Sequence, residues 1–440
     1  MIRTITAVAA ASLTLLVGCA TSPKRADAAA NEHPAAPISE IPPLHAQLPA
    51  LAPDASPDLY VRYALSNHPA VAAAWHDWRA AEAAIMPARS LPDPQLTFQA
   101  DIASTLMSLM PGVMFDLMTP GKRAAMGHEA QAGATVARRQ YEGALVRVAA
   151  EARKALLELS YLDEAIRLRD SSVASAEQTA ALAASEYAAG RGMGASLDLQ
   201  LKSADEATRL RSESAGLGER RIAARARLKS ALGLLPTDPD PQWPRHQLAV
   251  TPLPPADELW RRVQTANPDL ATMRAMVEMA VAGVDVAQRR GTPDFTVGLM
   301  TDVKQAPWMW RPTATMTLPI WRGKIRETIA AAQARHEAAS ARVDAEQLTM
   351  AAELAQMLAM VREADRMIGY IDSAALPSLE RTRATATSGY RTGASGATMI
   401  AAAGGMELAM RAERLAALRE RELAVVDLLA ITSEVAPASP

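Results

Sequence analysis

A single cysteine, Cys19, stands among 440 residues, so no disulfide can form within the chain. Charge of one sign is also missing. The formal net charge is -2, far from the strongly basic balance that nucleic acid demands. Past the first residues there is no uninterrupted apolar run of the ~18 residues a membrane helix needs, so a membrane-spanning part would have to be built from strands. The seven histidines, at 33, 45, 68, 76, 128, 246 and 336, are scattered without metal-ligand spacing. Neither a Gly-x-Ser-x-Gly elbow nor a phosphate loop appears. The expectation is a non-enzyme with no cofactor and no metal centre. Aromatic residues make up only 4% of the chain, which makes their positions informative.

What is present begins with an address. Arg3 precedes an apolar stretch from Ile5 to Val17 that runs into Leu16-Val17-Gly18-Cys19. A charged start, a short apolar core and small residues before a cut describe a secretory signal over residues 1–18. A cysteine directly after Val-Gly resembles the bacterial lipobox, which makes Cys19 the expected lipidation site. Ala20 and Thr21, with no Asp beside the cysteine, imply outer-membrane sorting by the same resemblance. Residues 19–56 read as an extended tether, with eight prolines between 20 and 57.

The rest of the chain is written twice. Asn67-His68-Pro69 returns as Ala266-Asn267-Pro268, Leu91-Pro92-Asp93 as Thr292-Pro293-Asp294, Gly121-Lys122 as Gly323-Lys324, and Tyr187-Ala188-Ala189-Gly190 as Tyr390-Arg391-Thr392-Gly393. The offset drifts only from 199 to 203, the mark of a duplication rather than a short solenoid repeat.

Each copy is first strand-like. Leu96, Phe98, Ala100 and Ile102 alternate with Gln95, Thr97, Gln99 and Asp101, and Phe295, Val297 and Leu299 with Thr296, Gly298 and Asp302. Return strands are predicted over Val113 to Met118 and Thr313 to Ile320. Four strands with one apolar and one polar face cannot close alone; two, three or four copies of the chain would supply eight, twelve or sixteen strands, all within the range of membrane barrels. Phe98, Phe115, Phe295, Trp308, Trp310 and Trp321 lie in or beside these hairpins, as a membrane reading requires; a soluble sandwich sheet is the alternative.

Each copy then turns helical. No proline occurs between Pro120 and Pro236. Leu145, Val148, Ala152, Ala155, Leu159, Leu162 and Ile166 step by three and four, as do Leu354, Met357, Val361, Ala364, Ile368 and Ile371, giving coiled-coil seams. Glycine clusters at Gly190, Gly192 and Gly194, and at Gly389, Gly393 and Gly396, predict reversals into helical hairpins. Pro377 has no counterpart in the first half and predicts a kink or a helix overlap. Shorter helical patterns at 57–88 and 256–290 precede the strand pairs. The first repeat therefore spans 57–235, with strands about 92–119 and a helical hairpin about 121–235. A linker of seven prolines covers 236–255. The second repeat spans 256–433, with strands about 293–320 and a hairpin about 323–433, before a tail over 434–440.

Strand hairpin opened by Pro-Asp and closed by Gly-Lys, then a long helical hairpin turning at Tyr-x-x-Gly, all repeated, resembles TolC-type outer-membrane efflux proteins from about residue 57 to 433. The lipobox makes the chain similar to the lipid-anchored branch, which includes heavy-metal and multidrug exit ducts. The resemblance implies a mixed α/β membrane protein: a homotrimer whose twelve strands form an outer-membrane β-barrel, continued by a periplasmic α-helical barrel. It also implies a periplasmic adaptor (membrane fusion) protein and an inner-membrane pump, commonly of the resistance-nodulation-division class, as partners. The chain would then be a passive exit duct for drugs or heavy-metal ions. A type I secretion duct and a lipid-anchored periplasmic coiled-coil scaffold are the competing expectations.

Candidate residues follow. Asp101 and Asp302, on the polar strand face, would form a ring of six lumen carboxylates in a trimer, favouring cations. Tyr187, Gly190, Tyr390 and Gly393 match the family's tip motif, implying adaptor docking together with the helix turn. Asp198, whose counterpart is Ala401, is a candidate gate residue. Met107, Met110, Met114 and Met118 cluster near the first strand turn. Thioethers suit Cu(I), but methionine also fills apolar seams, and no set on a polar face is legible, so no metal site is assigned.

Overall fold

The computed structural model describes residues 51–52, 55–102, 106–188, 197–245, 248–304, 307–392 and 396–435. They belong to the larger of two units into which the chain divides, residues 42–438. The elements run α1 (Pro57–Asn67), α2 (Pro69–Ala83), α3 (Ile85–Arg89), β1 (Gln95–Ile102), β2 (Leu106–Leu117), α4 (Pro120–Ala188), α5 (Leu197–Ala231), α6 (Ala256–Ala266), α7 (Pro268–Arg289), β3 (Phe295–Asp302), β4 (Met309–Met316), α8 (Arg322–Tyr370), a π-turn (Ile371–Ala375), α9 (Leu376–Arg391) and α10 (Ala397–Ile431).

The single helical stretches expected at 57–88 and 256–290 are broken, between α1 and α2 and between α6 and α7. Pro69 and Pro268 disfavour helical backbone at the residue before them and pre-set the first turn of the next helix. His68 Nδ1 accepts from the Ala70 amide at 3.1 Å, and Asn267 Oδ1 accepts from the amides of Asp269 and Leu270, both at 2.9 Å. These side chains satisfy amides that the new helix leaves open. The same corners also bind the far ends of the long helices. Asn67 Nδ2 donates to the carbonyls of Leu232 (3.0 Å) and Gly233 (3.3 Å), and Asn267 Nδ2 donates to that of Ile431 (3.0 Å). Gly233 ends α5 at φ 75°, where a Cβ would stand 2.8 Å from the Asn67 carbonyl oxygen. Only glycine meets both demands.

The four strands form one antiparallel sheet in the order β1-β2-β3-β4. Its register sorts the residues cleanly. Leu96 faces Val113, Phe98 faces Pro111, Phe115 faces Val297, Leu117 faces Phe295, and Thr301 faces Trp310. That face is apolar throughout except for Thr301, and it holds all three phenylalanines of the chain. No helix packs substantially on the sheet, so Phe98 is 68% exposed, and Leu96, Leu299, Met316 and Trp310 are exposed with it. The opposite face carries Gln95, Thr97, Gln99, Asp101, Asp116, Thr296, Thr313 and Thr315 between methionines and glycines. Two boundaries differ from expectation. β2 begins at Leu106 rather than Val113, and β4 covers Met309–Met316 rather than 313–320. β3 starts at Phe295 and so pairs no further than Met316, while Pro319 has no amide to extend the ladder.

The helices behave as their seams predict. α4 has 69 residues, about 100 Å at 1.5 Å per residue. It packs along α5, α7 and α10, and α8 packs along α7 and α10. Leu145, Val148, Ala152, Leu159 and Leu162 join Tyr60, Val71, Leu228, Leu232 and Val426 in the main core, and Leu354 and Val361 join Leu259 and Leu428 in a second. The discontinuity expected at Pro377 is the π-turn that ends at Ala375. Its wider spacing absorbs the backbone bond that proline cannot donate.

Candidate functional site

The sheet and the helix ends are where chemistry on this scaffold can face a passing solute. On the polar sheet face Asp101 lies opposite Ser108 and accepts that hydroxyl's hydrogen bond at 2.7 Å, remaining exposed. Asp302 lies opposite Met309 on the same face but is fully buried. The two carboxylates, alike in the repeat, therefore differ in setting. Asp302 ends β3, and its Oδ1 accepts the Lys304 amide at 3.0 Å. Asp116 on β2 ties three strands together. It accepts from Gln95 Nε2 (3.2 Å) on β1 and from Thr296 Oγ1 (2.6 Å) on β3.

At the other end of the molecule Tyr187 closes α4 and Tyr390 closes α9, both about half exposed. Gly190, Gly393 and Cys19 lie outside the described residues, and Asp198 falls on the first turn of α5 with its side chain likewise outside them.

Three charged clamps join α10 to the chain on either side of the π-turn, and none was legible from spacing. Within the π-turn Asp372 receives both Arg414 Nε (2.7 Å) and Nη2 (3.0 Å), and this bonding raises the Arg414 pKa above its ordinary value. Nearer the tip, the buried Glu407 holds Arg383 (2.9 Å) and Arg411 (2.5 Å). On the other side Arg421, itself buried, donates to Asp365 Oδ1 (2.6 Å), to the Thr251 carbonyl (3.0 Å) and to Glu422. Burial, the largest influence, pulls the Arg421 pKa down, and bonds to Asp365 and Glu422 outweigh it, leaving the value raised. Glu422 Oε2 accepts from Thr251 Oγ1 at 2.7 Å, so this cluster straps the proline-rich linker to the helices.

Among the described residues no group of His, Cys, Asp and Glu could hold a metal, and no helix is long and apolar enough to cross a membrane. Hydroxyl–carboxylate pairs such as Ser108 with Asp101 lie on the open sheet face, without a histidine beside them among the hydrogen bonds of the described residues. The arrangement has instead a bare apolar sheet face, a polar face behind it, and long paired helices.

The profile of the family described as "Outer membrane efflux protein" matches residues 61–234 and 259–434, the two repeats. No curated protein matches the sequence. Among solved structures, the fold is similar to the open state of the MtrE outer membrane channel of Neisseria gonorrhoeae, at TM-score 0.73 and 17% identity over 87% of this chain and 90% of that one. It is also similar to the outer membrane protein VceC of Vibrio cholerae, at TM-score 0.69 and 18% identity over 86% and 96%. A third likeness is to CusC, whose structures concern folding and transmembrane channel formation, at TM-score 0.71 and 16% identity over 86% and 92%.

Proposed function

Because this chain belongs to the outer membrane efflux protein family, we propose that three copies of it close into the exit duct of a tripartite efflux system. The observation that carries this reading is the sheet. A single layer with one apolar exposed face and two unpaired edges is stable only if lipid covers the face and other copies cover the edges. Each large side chain on that face gains about 1.5–3 kcal/mol on leaving water. Three copies give twelve strands, and their long helices continue the wall as a tube into the periplasm. Leu348, Tyr370, Ile222 and Leu201, exposed on the helices of one chain, would be covered by the neighbouring copies.

The duct conducts passively and catalyses nothing; an inner-membrane pump, of the resistance-nodulation-division class by family resemblance, supplies the energy. A periplasmic adaptor docks at the tips carrying Tyr187 with Gly190 and Tyr390 with Gly393, and Asp198 belongs to the resting gate. Asp101 lines the lumen as a ring of three carboxylates that favours cations; the burial of Asp302 keeps it from the open ring of six. Lipid on Cys19 anchors the N-terminus, so radiolabelled palmitate should enter the chain and should not enter Cys19→Ser.

The decisive test is purification from outer-membrane fractions followed by reconstitution in planar bilayers. The expected result is a heat-modifiable trimer with stepwise ion conductance. A carbonate-extractable monomer with no conductance would leave the periplasmic scaffold as the answer.

A further inference from the structure

The polar sheet face holds a second feature that the register alone brings together. Gln99 on β1 lies opposite Met110 on β2, and Asp302 on β3 lies opposite Met309 on β4. The β2–β3 register, Gly112 opposite Met300, continues outward to set Met110 opposite Asp302, and the Val303 amide bonds the Leu109 carbonyl at 3.1 Å to hold it there. Asp302 thus has a methionine on each neighbouring strand and a third, Met300, two residues along its own. Gly112 makes room for that third one. A Cβ at Gly112 would stand 2.4 Å from Met300 Cγ, so the methionine side chain occupies the space a larger residue would fill.

Burial sharpens the picture. Met110 is 1% exposed and Met300 is buried, on a sheet whose other face is bare. Asp302 Oδ1 is used by the turn, but Oδ2 is buried with no hydrogen-bond partner. A buried carboxylate oxygen left without a donor is costly unless a positive group reaches it. Arg311, opposite Met300 on the same face, is exposed and makes no ion pair among the described residues. Two buried thioethers, the more exposed one of Met309 and an unpartnered carboxylate oxygen together suit a cation that likes sulfur.

We infer that Met110, Met300, Met309 and Asp302 form a binding site for a soft monovalent cation, Cu(I) or Ag(I), on the inner wall of the barrel beside the hairpin turns. Thioethers are soft ligands that select Cu(I) over hard ions, and the carboxylate neutralises the charge. The site lies within one chain. It rests on the duct reading for its place on an inner barrel wall and for the claim that exported ions pass it, not for the metal binding itself.

The test uses the full-length protein, purified as for the conductance measurement and treated with N-ethylmaleimide so that any Cys19 sulfur without lipid cannot compete. Ag(I) and Cu(I) are titrated in chloride-free buffer, and the bound metal is counted per chain and its ligand atoms read by X-ray absorption. The expected result is one ion per chain with thioether sulfur scatterers. Affinity should fall at least tenfold in M110L/M300L/M309L and measurably in D302N, with no competition from Zn(II) or Mg(II). Met→Leu conserves core volume, so the triple variant should keep the oligomer and conductance of the parent. Unchanged affinity in the triple variant, or metal lost as soon as Cys19 is blocked, overturns the site. Absent conductance in the unmutated protein would strike the duct reading instead and leave this result standing.

Discussion

Lys122 Nζ lies 2.5 Å from Asp294 Oδ2, joining the Gly-Lys that closes the first strand hairpin to the Pro-Asp that opens the second. The equivalent residues in the other copies of these motifs, Lys324 and Asp93, are exposed and make no ion pair among the described residues. In a closed ring Lys324 of one chain meets Asp93 of the next, repeating the same contact across the subunit boundary. Lys324→Glu alone should lower the temperature at which trimers dissociate on gels, and Lys324→Glu with Asp93→Lys should restore it. A double variant no better than the single one refutes the pairing. The effect will be modest, since exposed pairs contribute about 0.2–1 kcal/mol.

Asn267 is buried and bonds three backbone groups, two at the start of α7 and one at the end of α10. Asn267→Ala removes the helix cap and leaves buried groups unpaired, so about 1–3 kcal/mol of stability should be lost. Asn67, half-buried, is helped by His68, which does the capping on its side. Asn67→Ala should cost less. Denaturant unfolding of the detergent-solubilised protein compares the two.

Arg421 and Glu422 are buried side by side, bound to Asp365 and to the linker at Thr251. Arg421→Ala strands Glu422 without its cation, and losing one partner of a buried pair costs roughly 3–5 kcal/mol. The expected readout is cleavage of the 236–255 linker at protease concentrations that spare the parent. Equal protection of both proteins would count against the strap.

The π-turn and its Asp372–Arg414 clamp sit on one helical hairpin only. Interrupted helices bend where the regular ladder is broken, so the second hairpin has a joint that α4 lacks. Asp372→Ala frees the π-turn from α10, leaving the Arg383–Glu407 clamp in place, and should raise single-channel conductance and admit bulky antibiotics, with little change in unfolding midpoint. If the midpoint falls and conductance stays constant, the clamp is a structural tie.

Local pattern carried much of this into the sequence. Period-two alternation around Phe98 and Phe295, the proline-free run after Pro120, and the seams through Leu145 and Leu354 each need only neighbours a few residues away. The features that were not legible depend on registers between distant segments. Met110 was counted among methionines near a turn, because its side of the sheet is fixed only by strands β1 and β3. Asp302 matches Asp101 in spacing, but Asp302 lies on the inner strand β3 and is buried, while Asp101 lies on the edge strand β1 and stays exposed. Clamps such as Arg414 with Asp372 join helices whose relative rotation no single periodicity sets. The breaks at Pro69 and Pro268 are local in origin, since each proline disfavours helical backbone at the residue before it.

Among the described residues no helix packs substantially on the sheet, and that orders events in time. The helices can bury their seams in water as soon as they are made, since their core partners lie in the same chain. The strands cannot, for their apolar side must wait for lipid and their outer edges for sister chains. Folding, insertion and assembly are therefore one final step for the barrel, preceded by a soluble stage in which finished helices carry an unfinished sheet. A chaperone that holds strands should be needed during that interval and should have nothing to grip afterwards.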